Sequence, residues 1–333
     1  MKILSKLLVM MFICAVLLIL PVSAVAGENV ENGTLSLVYE NDIFHSDKYY
    51  TNGVRASWLS EPDKISLLAL RAAGYVPFFP AGSSVRTTYS FGQNMYTPTD
   101  IKIENPPKND RPYAGWLYGS VGLIAETGKR LDQLELTVGV VGPASLAEQT
   151  QKTVHRMIDS PRPEGWDHQL KNEPGFVLTY QRSWRSYVSK SMLGVPYDIT
   201  PHAGVALGNV FTYASTGFVI RYGMRLPQDY GPPRIQPNLP GSGFFVPQEK
   251  FGWYLFAGLE GRAVLRNIFL DGNTFADSRS VDKEPFVADF QYGLAVTKGN
   301  YRFSYTNVLR SKEFADQDST SHDFGALSVS VQF

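Results

Sequence analysis

The chain has 333 residues, with 31 Lys and Arg against 31 Asp and Glu, 13% aromatic residues and 29 glycines. That near-neutral balance argues against nucleic acid as a partner. The one cysteine, Cys14, lies inside an apolar run, so the remainder has no thiol for a disulfide, a nucleophile or a metal site.

Lys2 and Lys6 precede the apolar run Leu7–Leu20, and Ala24-Val25-Ala26 offers small residues at a cleavage point. Residues 1–26 are therefore expected to be a secretory signal peptide, and residues 27–333 a single domain. No later apolar run is long enough for a transmembrane helix. Alternation of apolar with small or polar residues instead predicts strands near Thr34–Glu40, Thr51–Ser60, Val85–Asn94, Tyr113–Glu126, Asp132–Val141, Gly175–Arg185, Asp198–Leu207, Thr216–Met224, Gly252–Gly261, Phe286–Thr297, Tyr301–Leu309 and Phe324–Phe333.

Within the last of these, Leu327, Val329, Val331 and Phe333 alternate with Ala326, Ser328, Ser330 and Gln332. Such dyads fit a strand with one face in lipid and one facing a lumen. The even strand count, the expected leader and the terminal phenylalanine together predict an all-β fold, a twelve-stranded antiparallel transmembrane β-barrel with a short helix in an extracellular loop. The Pro- and Gly-rich connection Arg225–Phe251 reads as irregular rather than as a domain linker.

With both termini on the periplasmic side, the connections after the odd-numbered strands emerge together on the outer face. They carry "ENDIFHSDKYYTNG", "QNMYTPTDIKIENPPKNDRPYAG" and "SLAEQTQKTVHRMID" followed by "PEGWDHQLKNEPG". Along the first strand Ser36, Glu40 and Asp42 take the lumen parity, and on the return strand Thr51, Gly53, Arg55 and Ser57 do. Glu40, Asp42 and Thr51 form an oxygen-rich group suited to Ca²⁺. From composition alone, the more ordinary use of the same carboxylates is as lumen ion pairs, with Arg55 neutralising Glu40 or Asp42.

Ser145 and Glu148 have the spacing of a capping box, and Pro161 follows the last turn of the predicted helix. Leu146, Thr150, Val154, Met157 and Ile158 form an apolar arc expected to pack on the rim, with Gln151 and His155 one turn apart along its edge. Histidine can take a proton from water near neutral pH, and a neighbouring glutamine can orient that water or an oxyanion. The other histidines show no spacing for zinc. In "NDRPYAGW", Asp110 is expected to hold the loop, whereas Arg111 fits either that task or, like Lys102, reception of a lipid phosphate.

The ordered motifs "ENDIF…YYTNG", "GQNMYTP", "NDRPYAGW", "GPASLAEQTQKTVHR" and "GWDHQLKNEPG", between Glu40 and Gly175, resemble the outer-membrane lipid A 3′-O-deacylase family. That resemblance implies a twelve-stranded barrel in the bacterial outer membrane, removing the 3′-linked acyloxyacyl group of lipid A with the help of Ca²⁺. It implies Asn41 and Asp42 as the Asn-Asp pair with Asp42 near the metal, Thr51 as an inward threonine, and Gln151 and His155 as the QxxxH helix whose histidine is the base. Lys102 is the nearest match to an active-site lysine. Asn41 has the lipid-facing parity, so its use in a lumen site requires the chain to bend there.

The expected activity is acyl ester hydrolysis on lipid A of lipopolysaccharide by a monomer, near the outer face. A phospholipase-like hydrolase using the same residues is the alternative enzyme. A structural or small-solute barrel is the non-enzymatic one.

Overall fold

Alternating side chains become strands here because each dyad satisfies two solvents at once, and the backbone polar groups pair from strand to strand. The computed structural model describes residues 33–42, 48–62, 71, 74–75, 80, 84–235 and 243–333. The expected signal peptide lies outside the described residues. In chain order the elements are β1 (Thr34–Asn41), β2 (Tyr49–Leu59), β3 (Ser84–Thr97), β4 (Ala114–Glu126), β5 (Arg130–Val141), α1 (Ala147–Met157), β6 (Glu173–Trp184), β7 (Val188–Met192), β8 (Val195–Gly208), β9 (Phe211–Met224), β10 (Gln248–Asn267), α2 (Ile268–Asp271), β11 (Phe286–Gly299), β12 (Tyr301–Ser311) and β13 (Ser321–Gln332).

Neighbouring strands pair antiparallel, β1 closes on β13, and β6 reaches across to β8. Ser183 pairs with His202 and Val188 with Ile199, so β6 and β7 are two halves of one stave separated by a bulge. The 13 strands of the sheet therefore close as the expected twelve-stave barrel. Among the described residues no helix is long and apolar enough to cross a membrane; the strands do so.

The exterior is apolar in continuous cross-strand rows. Phe218 pairs with Leu259, Leu259 with Phe290 and Phe290 with Leu309, all exposed on the outside of β9 to β12. Near the end carrying the termini, Trp58 stacks on Phe333 at 5.7 Å and Tyr301 on Phe303 at 6.3 Å, the aromatic girdle of a membrane boundary. Leu259→Arg, placed in the middle of such a row, is expected to destabilise the barrel by about 2–4 kcal/mol in a lipid-based unfolding titration.

The lumen is filled from the terminal end by the described residues of the connection between β9 and β10, 225–235 and 243–247, which fold back inside the barrel. Tyr230 donates to Glu126 at the inner end of β4 (3.1 Å), Asp229 accepts from Arg302 and Tyr254 (both 3.0 Å), and Arg234 reaches Glu40 at the far end of β1 (2.9 Å). The far half of the lumen is closed by an aromatic core that includes Tyr50, Tyr96, Trp116, Phe211, Phe269 and Phe324. Between them a cavity of about 60 Å³ is lined by Arg55, Glu135, Gln181 and Arg234, among others.

This filling revises the expected ion pairs. Arg55 pairs with Glu135 at 2.5 Å, while both carboxylate oxygens of Glu40 are taken by Arg234, the Ile235 amide and the Tyr50 hydroxyl. The irregular connection is thus a plug that neutralises the lumen, and a buried carboxylate needs such a partner.

Candidate active site on the exterior of the barrel wall

A single bulge decides where the site lies. The register of β2 against β3 shifts between Tyr50 and Asn52, so Thr51 is an extra residue opposite Met95. Tyr50 faces the lumen, where its ring lies 5.4 Å from Tyr96 and 5.0 Å from Phe324. Thr51 is turned to the other side, and its Oγ1 lies 2.7 Å from Oγ1 of Thr97, which shares the outward parity of Gln93 and Met95. The expected inward orientation of Thr51 is therefore corrected: a one-residue insertion exchanges the faces of a strand.

Asn41 follows the same logic. It keeps the outward parity of Leu35, Leu37 and Tyr39, and its Nδ2 donates to the Thr51 carbonyl at 3.0 Å. No bend is needed, because Asn41, Thr51 and Thr97 all lie outside the lumen on adjacent strands. Glu40, one residue away, points to the opposite side of the wall.

Helix α1 stands on this exterior. Gly115 alternates with the lumen-facing Ala114 and Trp116 of β4 and points outward. A Cβ there would meet Ser145 Oγ and Ala147 Cβ at 2.1 and 2.3 Å, so only glycine admits the helix so close to the wall. Gln93 Nε2 of β3 donates to the Ser145 carbonyl at 2.7 Å, and Met95 packs with Ala147, Tyr113 and Trp166.

The expected capping box does not form. Ser145 Oγ donates to the Gly142 carbonyl at 2.6 Å within a preceding 3₁₀ turn, Leu146 is the N-cap, and Glu148 pairs with Lys152. The expected packing face is also corrected. Ala147, Gln151 and His155 form the buried stripe, whereas Leu146 and Met157 of the apolar arc are 53% and 63% exposed. Shape at Gly115 and polar partners for Gln151 outweigh burial of the apolar arc.

Each of the two polar side chains is held in one chemical orientation. The Trp166 indole, which can only donate, bonds Gln151 Oε1 at 2.8 Å. Gln151 therefore presents its amide nitrogen away from Trp166, and that buried Nε2 has no hydrogen-bond partner among the described residues. His155 Nδ1 lies 2.6 Å from the Pro161 carbonyl. A carbonyl can only accept, so Nδ1 carries the proton and Nε2 the basic lone pair.

The loops at this end brace the arrangement. Tyr113 donates to the Ile101 carbonyl (3.0 Å), Glu164 N donates to the same carbonyl (2.9 Å), and Leu170 N donates to Tyr113 O (2.9 Å). Asp110 accepts from Thr99 N at 2.8 Å and Arg111 N at 2.7 Å, the loop-holding role expected of it. Asp42 accepts from Lys48 N at 2.5 Å, and Lys48 Nζ in turn reaches Asp318 at 3.1 Å; the Tyr49 hydroxyl also donates to Asp318. Burial raises the Asp318 carboxyl, but the Tyr49 hydrogen bond and the Lys48 ammonium outweigh it and hold the group below the usual carboxylate range.

Arg111 is wholly buried, 3.0 Å from Glu313 and over the rings of Tyr96 and Phe314. It is a structural cation, and the phosphate-receiving alternative is not open to a guanidinium without access to solvent. Burial raises Glu313, but Arg111 and Arg310 overcome this and keep its carboxyl depressed. Lys102 is exposed on the loop after β3, with its amide on Asp100.

Among the described residues no group of three or more acidic, histidine or cysteine side chains surrounds a common point. Glu40 is committed to Arg234 on the lumen side, so Asp42 is the one carboxylate of the expected pair placed near Asn41 and Thr51. A Ca²⁺ shell takes six to eight oxygens, with backbone carbonyls and water among them, and Asp42 is the carboxylate of the expected pair in a position to join one.

Sequence reasoning overlooked Thr97, Trp166, Pro161 and the Asp318 clasp. Trp166 was visible inside the "GWDHQ" motif, but nothing local marks it as the partner of Gln151.

Fold and site together define an outer-membrane β-barrel with a polar helix face held against the outside of its wall. Residues 10–333 match the model of the family described as outer membrane protein LpxR, and the chain belongs to that family. Among solved structures it resembles LpxR from Salmonella typhimurium, with 19% identity and a TM-score of 0.71 over 90% of this chain and 100% of that one. The β domain of the Bordetella autotransporter BrkA aligns at 8% identity and a TM-score of 0.39 over 91% and 99% of the two chains. The outer membrane enzyme PagL aligns at 13% identity and a TM-score of 0.26 over 48% and 90%. No curated protein sequence matches.

Proposed function

We propose that this chain is a lipid A 3′-O-deacylase, hydrolysing the 3′-linked acyloxyacyl ester of lipid A at the outward rim of the outer membrane. The observation that supports it most is the placement of the Gln151–His155 face on the exterior of the wall rather than in the plugged lumen. A site there takes its substrate from the bilayer.

His155 Nε2 removes a proton from water, and the hydroxide attacks the acyl carbonyl carbon. The Gln151 amide donates to the oxyanion that forms. Collapse of the tetrahedral species breaks the bond to the sugar oxygen, which receives the proton held by His155, leaving the sugar hydroxyl and the free acid. Thr51 and Thr97 share one hydrogen bond between two hydroxyls, so the remaining hydroxyl proton is available to the substrate. Lys102 is the cation offered to a lipid phosphate. Dependence on Ca²⁺ stays an expectation carried by Asp42 alone, and no step is routed through the ion.

Mass spectrometry of lipid A from cells expressing the protein tests this directly, with loss of the 3′-linked group expected. An unchanged acylation pattern with the folded barrel in the membrane would falsify the proposal. Purified protein given lipid A and glycerophospholipid vesicles side by side, with and without EDTA, separates the phospholipase alternative and reads the metal requirement. The solute-barrel alternative predicts conductance in planar bilayers, which the filled lumen opposes.

A further inference from the structure

Helix α1 has three faces. Ala147, Gln151 and His155 look at the wall. Glu148, Lys152 and Arg156 form a charged flank, with Glu148 and Lys152 paired at 2.5 Å. On the other flank, at about 100° per residue, lie Leu146, Thr150, Val154 and Met157. An apolar flank and a cationic flank on one helix, at a membrane boundary, is the arrangement of a helix lying in the interface plane.

The apolar flank continues a surface that already faces lipid. On β5 the outward row is Leu136, Val138 and Val140, with Leu136 and Val138 exposed; the chain then passes through exposed Pro143 and Ala144 to Leu146. Leu146 has φ 60°, a left-handed conformation that is disfavoured for a branched residue. Its backbone is locked there by Leu146 N to Pro143 O at 3.1 Å and Thr150 N to Leu146 O at 3.0 Å. The chain accepts this conformation while the side chain remains exposed, away from the core of the protein.

We propose that Leu146, Val154 and Met157 insert among the acyl chains of the outer leaflet, with Lys152 and Arg156 at the level of the anionic head groups. The helix is then a lip between bilayer and site, over which an acyl chain passes to the Gln151–His155 face without leaving an apolar surface. The occupant is lipid acyl chain. Its identity as lipid A rests on the function proposed above; the insertion itself does not.

The test uses single cysteines in a Cys14→Ser background, since Cys14 is the one natural cysteine. An environment-sensitive fluorophore is attached at Leu146→Cys, Met157→Cys, Gln149→Cys or Arg156→Cys in the full-length barrel, reconstituted in phosphatidylethanolamine and phosphatidylglycerol vesicles. Blue-shifted emission quenched several-fold more strongly by acyl-brominated lipid at 146 and 157 than at 149 and 156 is expected. Equal quenching at the four positions, or stronger quenching of 146 and 157 by aqueous iodide, overturns the proposal. Insertion in a wild-type protein that hydrolyses no lipid would sink the enzymatic reading and leave the interfacial helix standing. A second arm compares Leu146→Glu/Met157→Glu with wild type on one lipid substrate in vesicles and in detergent micelles. A several-fold loss confined to vesicles is expected, and an equal loss in both counts against the lip.

Discussion

Replacing His155 by asparagine is expected to lower turnover by about 10²–10⁴-fold, the contribution of a positioned general base. Asparagine keeps an amide N–H that can donate to the Pro161 carbonyl, which His155 Nδ1 contacts at 2.6 Å, but it has no basic nitrogen at the position of Nε2. The measurement is the initial rate of acyl release from lipid A in vesicles, alongside the heat-modifiable migration of the folded barrel. Loss of rate with migration unchanged assigns the effect to chemistry. A variant that keeps wild-type turnover would remove His155 from the mechanism, and one that no longer migrates as a barrel would show that the Pro161 contact mainly holds the loop.

Arg234→Met is expected to destabilise the barrel by about 3–5 kcal/mol, because it strands a buried carboxylate. Glu40 has no exposed surface, and loses the Arg234 guanidinium at 2.9 Å while retaining the Tyr50 hydroxyl at 2.9 Å. The companion Glu40→Gln/Arg234→Met should recover most of the loss, since two neutral groups of similar volume leave no unpaired charge. Guanidinium unfolding of the barrel in detergent gives both numbers. If the single and double variants were equally unstable, packing of the plug rather than the ion pair would be what the position supplies. Because Glu40 lies across the wall from Thr51 and α1, the folded fraction of Arg234→Met should retain its ability to engage lipid at the exterior face.

These two residues also mark where local reading succeeds and where it stops. His155 and Gln151 are one helical turn apart, and that relation is a property of a short stretch of chain, so it was legible. Which way their face points was not, because α1 was expected to bury its apolar arc. The structure buries the polar stripe because Gly115 opens a gap on the wall that fits Ala147, and Trp166 supplies the donor that Gln151 needs. Arg234 gave no local signal as the partner of Glu40, from which it is separated by 194 residues.

The barrel itself followed from the chain alone. Side chains alternate with a period of two in any strand, so the dyads of β13 and its companions already state that one face meets lipid and the other a lumen. Parity propagates faithfully, however, only while pairing is regular. At Thr51 the register against β3 slips by one residue, an event defined by two strands rather than one, and it carries the threonine from the lumen to the exterior. Asn41, which looked misplaced for a lumen site, is in phase with this exterior one. The chain specified the strands and the candidate residue types through short-range periodicity; strand pairing, the plug and the seat at Gly115 chose the side of the wall on which those residues lie.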